Sequence, residues 1–147
     1  MYKHILIPTD GSPTAEKAVA AGIELARESG AKVTLFTAVP EYEVPGEGKV
    51  LAHDVISIQE HARRSAIKAS EVLAPAAEQV RAAKLVFGTQ HAQSNRPWEA
   101  IVHAAKLFGC DAIVMASHGR KGLSRLVHGS QTIDVLNHTD LPTLVVR

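Results

Sequence analysis

The segment ASHGRKGLSRLVHGSQT, Ala116 to Thr132, carries the residue types that hold an anion. Glycines at 119, 122 and 129 let a backbone approach a ligand and adopt positive φ. A helix pattern resumes after Ser130, so unpaired N–H groups at its start would point back at the segment. Arg120, Lys121 and Arg125, with His118 and His128, supply positive charge, and no Asp or Glu occurs from Ala112 through Ile133. With hydroxyls on Ser130 and Thr132 as further donors, the chemistry this pattern suits is phosphate binding at a helix start. A solvated basic loop capped by an ordinary serine uses the same residues, and spacing alone leaves both readings open.

Other chemistry finds less support. Neither G-x4-G-K-[ST] nor G-x-G-x-x-G occurs, so the P-loop and the dinucleotide fingerprint do not apply. The eight histidines form neither H-E-x-x-H nor a Cys/His cluster, which argues against a metal centre. Ser124 in GLSRL lacks the strand-to-helix G-x-S-x-G elbow of a serine hydrolase. No carboxylate pair stands near the glycine-rich segment for general acid/base work. Without an evident base or arginine finger, any hydrolysis of a bound phosphate ester should be slow and incidental. The single cysteine, Cys110, opens an apolar run, where a buried structural thiol is expected.

These residues need a scaffold. The 147 residues suit one domain, 1–147, that buries roughly 70% of the surface its unfolded form exposes. A composition 46% hydrophobic and 21% charged, with net charge +1, is that of an ordinary soluble protein and argues against a general nucleic-acid binder. Apolar runs such as AIVMA are too short to span a bilayer, so no membrane partner is expected. The opening MYKHILIPTD lacks the h-region and cleavage site of a signal peptide, and the expected location is the cytoplasm.

Five short apolar runs read as strands: His4 to Pro8, Lys32 to Val39, Lys84 to Thr89, Asp111 to Ser117 and Pro142 to Val146. They are nearly continuously apolar, as in a parallel sheet covered on both faces. Between the first two, Ala15, Ala18, Val19, Gly22, Ile23 and Ala26 fall at helical spacing, with Ser12 as N-cap, Pro13 at N1 and Gly30 as C-cap. A second helix is predicted from about Val55 to Val80, with Ile58, Ala62, Ala66, Ala69 and Leu73 on its buried side, kinked or ended by Pro75. A third begins near Pro97, with Trp98, Ile101, Val102, Ala105 and Phe108 as its core stripe and Gly109 as its stop. A fourth follows Gly129, with Ser130 as N-cap and Ile133 and Leu136 on the buried side.

Strand and helix alternate to the end, which implies an α/β fold: an open, doubly wound, five-stranded parallel sheet with helices on both faces. Ligands in such folds sit beyond the carboxyl ends of the strands, where strand order reverses. The residues after the first strand, Thr9, Asp10, Gly11 and Ser12, and after the fourth, Ser117, His118 and Gly119, would be neighbours if those strands flank that point. Asp10 also suits an Asx-type turn before a helix, a structural role common in such folds.

The chain resembles the universal stress protein family in its ATP-binding branch, marked by G-x2-G-x9-G-[ST] after the fourth strand. Here the pattern reads Ala116, Gly119, Gly129 and Ser130, joined by the opening ILIPTDGSPTAEKA and the closing LPTLVV. The resemblance implies a Rossmann-like, adenine nucleotide alpha hydrolase-like fold with strand order 3-2-1-4-5. It implies that Pro8, Thr9 and Asp10 lie beside the adenosine, that Ala38 and Val39 flank the adenine, and that Met115 and Ala116 pass under base and ribose. His118, Gly119 and Arg120 would meet the phosphates, and Gly129, Ser130, Gln131 and Thr132 would cradle them. The expected ligand is ATP, or AMP or ADP, with Asp10 assisting any bound magnesium. Ala116 departs from the motif glycine, and its methyl bears on affinity more than on the location of the site.

Two segments extend this reading. Pro40 to Asp54 is a Pro- and Gly-containing connector that could close over nucleotide or simply join two elements. The last strand ends at a sheet edge, and in similar proteins it pairs with its copy, so the resemblance implies a homodimer. The function expected is that of a dimeric, nucleotide-responsive stress module read by a protein partner that the sequence does not name. An interaction protein without nucleotide and a slow ATPase or phosphotransferase are the alternatives.

Overall fold

A computed structural model describes residues 1–43, 52–117 and 131–147. Five parallel strands alternate with four helices: β1 (His4–Pro8), α1 (Pro13–Ser29), β2 (Lys32–Val39), α2 (Ala52–Ala82), β3 (Phe87–Gln93), α3 (Pro97–Leu107), β4 (Ala112–Ala116), α4 (Gln131–His138) and β5 (Thr143–Val146). The strands form one sheet in the order β3-β2-β1-β4-β5, as the resemblance implies. β1 pairs β2 with His4 opposite Lys32 and pairs β4 with Ile5 opposite Ala112. Strand order therefore reverses between β1 and β4.

The period of two along each strand divides the core in two. On one face Ile5, Ile7, Val33, Leu35 and Val114 meet Val19, Ile23 and Ala26 of α1 and Leu73, Ala76 and Val80 of α2. On the other, Leu6, Phe36, Ile113 and Met115 meet Ala100, Ile101, Ala104 and Ala105 of α3 and Val135 of α4. Ile5, Leu6, Ile7, Leu35 and Ile113 are inaccessible to solvent, and burial of each such side chain is worth roughly 1.5–3 kcal/mol.

The first helix follows its sequence signals. Ser12 Oγ accepts the Ala15 N–H at 3.2 Å, Pro13 sits in the first turn, and Gly30 turns out at φ 70° with its N–H on the Ala26 carbonyl. At the opposite end of the sheet from the strand exits, Asp111 accepts the main-chain N–H groups of Lys3 and His4, at 2.9 and 3.0 Å, and so ties β1 to the entry of β4. Buried His4 shares a 2.7 Å hydrogen bond with Thr34 Oγ1 across to β2.

Several elements differ from the sequence expectation. β3 runs Phe87–Gln93 rather than Lys84 to Thr89, and most of its residues are exposed, because it is an edge strand covered only in part by α2. Lys84 lies outside the strand with φ 58°, turning the chain as it leaves α2. Pro75 does not end α2, which continues to Ala82. Of the expected α2 stripe only Ala69 and Leu73 are buried; Ile58, Ala62 and Ala66 are exposed, and Ser65, Ala76 and Val80 complete the packed face. A helix of 31 residues is roughly 46 Å long and outreaches the strands it covers. On α4 the buried residues are Thr132 and Val135, whereas Ile133 and Leu136 are 53% and 46% exposed. The helix is turned by one residue because Thr132 bonds inward to the end of β4.

Candidate functional site

The exits of β1 and β4 are adjacent in the sheet, and the candidate site is built on them. After β1 the chain makes two nested side-chain turns. Thr9 Oγ1 accepts the Gly11 N–H at 3.1 Å and Asp10 Oδ1 accepts the Ser12 N–H at 2.9 Å, with Gly11 at φ 78°. Such turns let Asp and Thr bond their own backbone two residues on, and the left-handed value suits glycine. Thr9 N–H also donates to the Phe36 carbonyl at 2.8 Å, which ties the turn to β2. Pro8 and Thr9 are buried, and Asp10 is half-buried at the rim.

After β4, Ala116 and Ser117 meet the start of α4. Thr132 Oγ1 donates to the carbonyl of Ala116 at 3.0 Å and lies 3.2 Å from that of Ser117, so the two ends of the glycine-rich segment are held together. The Ser117 N–H donates to the Val146 carbonyl at 2.8 Å, while its buried Oγ has no hydrogen-bond partner. A buried hydroxyl without a partner is uncommon, and among the described residues Ser29 Oγ at the end of α1 is the other one. Ser117 is among the residues that the sequence placed after the fourth strand, though not among those expected at the nucleotide.

The exit of β2 is tied down as well. The Val39 carbonyl accepts the Ser94 N–H at 2.7 Å, Asn95 Oδ1 accepts the Glu41 N–H at 3.1 Å, and His61 Nε2 donates to the Pro40 carbonyl at 3.0 Å. The Tyr42 and His61 rings lie 5.4 Å apart. Val39 is buried and Ala38 half-buried, and Ala38 packs against the face of the core that holds Met115.

The structure thus brings Pro8, Thr9, Asp10, Ala38, Val39, Met115, Ala116, Gln131 and Thr132 to the strand exits around the reversal point. His118, Gly119, Arg120, Gly129 and Ser130 lie outside the described residues. Gln131 is engaged in a way the sequence did not suggest, since its Oε1 accepts the Trp98 main-chain N–H at 2.7 Å.

Other features lie apart from these exits. A groove of about 520 Å³ runs between α2 and β3, lined by Ala69, Leu73, Arg81, Phe87 and His91 among others, on the far edge of the sheet. Cys110 is buried at the entry of β4, where burial first, and then the charge of Asp111, pushes its thiol up to about 11. Among the described residues, no three or more His, Cys, Asp or Glu converge on a metal position, and no helix is long and apolar enough to cross a membrane.

Known proteins share this architecture. Universal stress protein MJ0531 of Methanocaldococcus jannaschii is 29% identical over 152 residues, covering 100% of this chain and 83% of that protein. The structure of universal stress protein UspA from Lactobacillus plantarum superposes with a TM-score of 0.78 at 22% identity, over 99% of this chain and 98% of that one. A universal stress protein in complex with cAMP gives 0.71 at 22% identity, over 99% and 97%. A universal stress protein from Archaeoglobus fulgidus in complex with dAMP gives 0.65 at 23% identity, over 99% and 98%. With the pattern of the Universal stress protein family matching residues 1–147 in addition, this chain belongs to that family.

Proposed function

We propose that the cleft at the exits of β1 and β4 binds an adenine nucleotide, ATP foremost, and that the protein is a nucleotide-responsive regulatory module rather than a catalyst of turnover. The observation that carries this reading is the Thr132 bond to the Ala116 and Ser117 carbonyls, which fixes the first turn of α4 beside the β4 exit. A helix start held at that point presents N–H groups and a positive dipole end to an anion. The unpartnered Ser117 Oγ fits a polar ligand at the same exit. Two structures of the same fold and family hold cAMP and dAMP, which supports an adenine nucleotide as the ligand class.

In this reading Pro8, Thr9 and Asp10 border the adenosine, Ala38 and Val39 flank the base, and Met115 and Ala116 underlie base and ribose. His118, Gly119 and Arg120 meet the phosphates, and Gly129 to Thr132 close around them. Thr132 spends its hydroxyl on the β4 carbonyls and Gln131 its Oε1 on Trp98, so their share of the cradle is the main-chain N–H groups and the Gln131 side-chain amide N–H. Magnesium would arrive on the phosphates, with Asp10 as the carboxylate facing it. β5 is the free edge beside this exit and would pair with its copy in a homodimer.

A second reading rests on Ala116. Its methyl occupies the place of the motif glycine, and a cleft narrowed there would leave a dimeric interaction protein without nucleotide. One experiment separates the two: denature the purified protein, chromatograph what is released, and titrate the emptied protein with ATP and magnesium by calorimetry. Binding lost in Gly129→Val and strengthened in Ala116→Gly establishes the nucleotide reading. No released nucleotide and no heat at millimolar ATP overturns it in favour of the second.

A further inference from the structure

The start of α3 is completed by a residue from another helix. Pro97 has no N–H to satisfy, and the N–H groups of Glu99 and Ala100 both reach the Arg96 carbonyl, at 3.1 and 3.2 Å. Arg96, at the cap position, makes no side-chain cap, so the Trp98 N–H is left over, and Gln131 Oε1 takes it at 2.7 Å. The far end of α4 holds the same tryptophan by its ring. The His138 imidazole lies 4.3 Å from Trp98 at an interplanar angle of 33°, and its Nδ1 is fixed on the Asp134 carbonyl at 2.7 Å. Trp98 is therefore gripped by the first and last residues of an eight-residue helix, whose second residue, Thr132, is bonded to the β4 exit.

We propose that Gln131 is a positioning residue that couples the cleft to α3: an anion on the first turn of α4 tightens that short rigid helix as one piece against Trp98, and the Trp98 N–H and ring report the tightening. This rests on the nucleotide reading above, and it names where occupancy is transmitted, to the exposed start of α3 at Arg96 and Glu99. A helix of eight residues spans only about 12 Å, so a constraint on its first turn reaches His138.

Trp98 is the only tryptophan, so emission reads this site alone. The protein, emptied of any bound nucleotide, is titrated with ATP and magnesium while heat and emission are followed together, and exchange of the Trp98 amide is measured by NMR with and without ATP. The expected result is an emission change that saturates with the heat and a change of about tenfold in Trp98 amide exchange. Without ligand, Gln131→Ala is expected to speed that exchange about tenfold, the loss of one hydrogen bond, and Gln131→Glu, which keeps an acceptor, to restore the protection. Unchanged exchange in Gln131→Ala overturns the link itself. Heat without any change in emission or exchange overturns the coupling while leaving the nucleotide reading intact, and absence of heat overturns both.

Discussion

Gly22 of α1 lies so close to Ile7 of β1 that a Cβ built on the glycine would stand 2.4 Å from Ile7 Cδ1 and 2.9 Å from Cγ1. Ile7 is inaccessible to solvent and Val114 Cβ lies at 3.5 Å on the other side, so the methyl has nowhere to go without repacking. Alanine gains up to about 1 kcal/mol of helix propensity, while overpacking costs about 1–3 kcal/mol. Gly22→Ala should therefore destabilise by about 1 kcal/mol in denaturant unfolding. Ile7→Val removes Cδ1, and in the double variant the two costs should add to less than their sum.

Thr132→Val keeps the shape of the side chain and removes the hydroxyl that joins α4 to the β4 exit. The stability cost should be about 1 kcal/mol, whereas ATP affinity by calorimetry should fall at least tenfold, roughly 1.4 kcal/mol, because the first turn of α4 is no longer held in place. Thr132→Ser should recover most of both.

Stability should fall with acid in two stages. Burial, and then the positive charge of Lys32, holds the His4 imidazole below its ordinary value of 6.5, against the opposing pull of Asp111 and the Phe108 main chain. The unfolded chain therefore takes up this proton more readily, and the His4 contribution is complete above about pH 6.5 and is lost as pH falls below it. For Asp111, burial pushes the carboxyl up, but the N–H groups of His4 and Lys3 outweigh it and hold it below 3.8. Its contribution is present above that value and disappears as pH falls further, giving the lower stage. Urea midpoints measured across the acid range should show both, and His4→Gln should flatten the upper one.

Cys110 should be inert in the folded protein. With its thiol pushed up to about 11 and 7% of its surface exposed, little thiolate is present or reachable near neutral pH. Alkylation should proceed at the rate of global opening and speed up in denaturant. Rapid labelling in native buffer would contradict this.

The proposed dimer can be tested at the main chain of β5. Pro142 and Val146 offer their carbonyls to Ile113 and Ser117 of β4, so by the alternation of a strand the polar groups of Thr143 and Val145 face the open edge. Val145→Pro removes an outward N–H and leaves the ladder to β4 in place. Sedimentation should show a dimer for the natural sequence and a monomer for this variant. A monomer in both would rule the dimer out.

The sequence made the centre of the fold legible and its periphery less so. β1, β2 and β4 are buried on both faces, and continuous apolar runs such as HILI and AIVM admit little else. β3, FGTQHAQ, is an edge strand whose composition follows solvent rather than core, so the apolar run just before it drew the expectation three residues early. The α2 stripe failed at Ile58, Ala62 and Ala66 because helical period does not tell how far the sheet beneath extends. At the site, the Asp10 turn was legible because a short Asp side chain before Gly and Ser bonds its own backbone two residues on. The inward bonds of Gln131 and Thr132 were not, since each depends on an element distant in the chain.

The central place of β1 has a consequence for how the protein is made. Its five residues are all buried, between β2 on one side and β4 on the other. On the ribosome this strand emerges well ahead of its second neighbour, and until Ala112–Ala116 has left the exit tunnel one edge of HILIP stays open. Until β4 is made the nascent chain thus carries an apolar strand with one open edge, the kind of segment that chaperones recognise and that aggregates when elongation stalls.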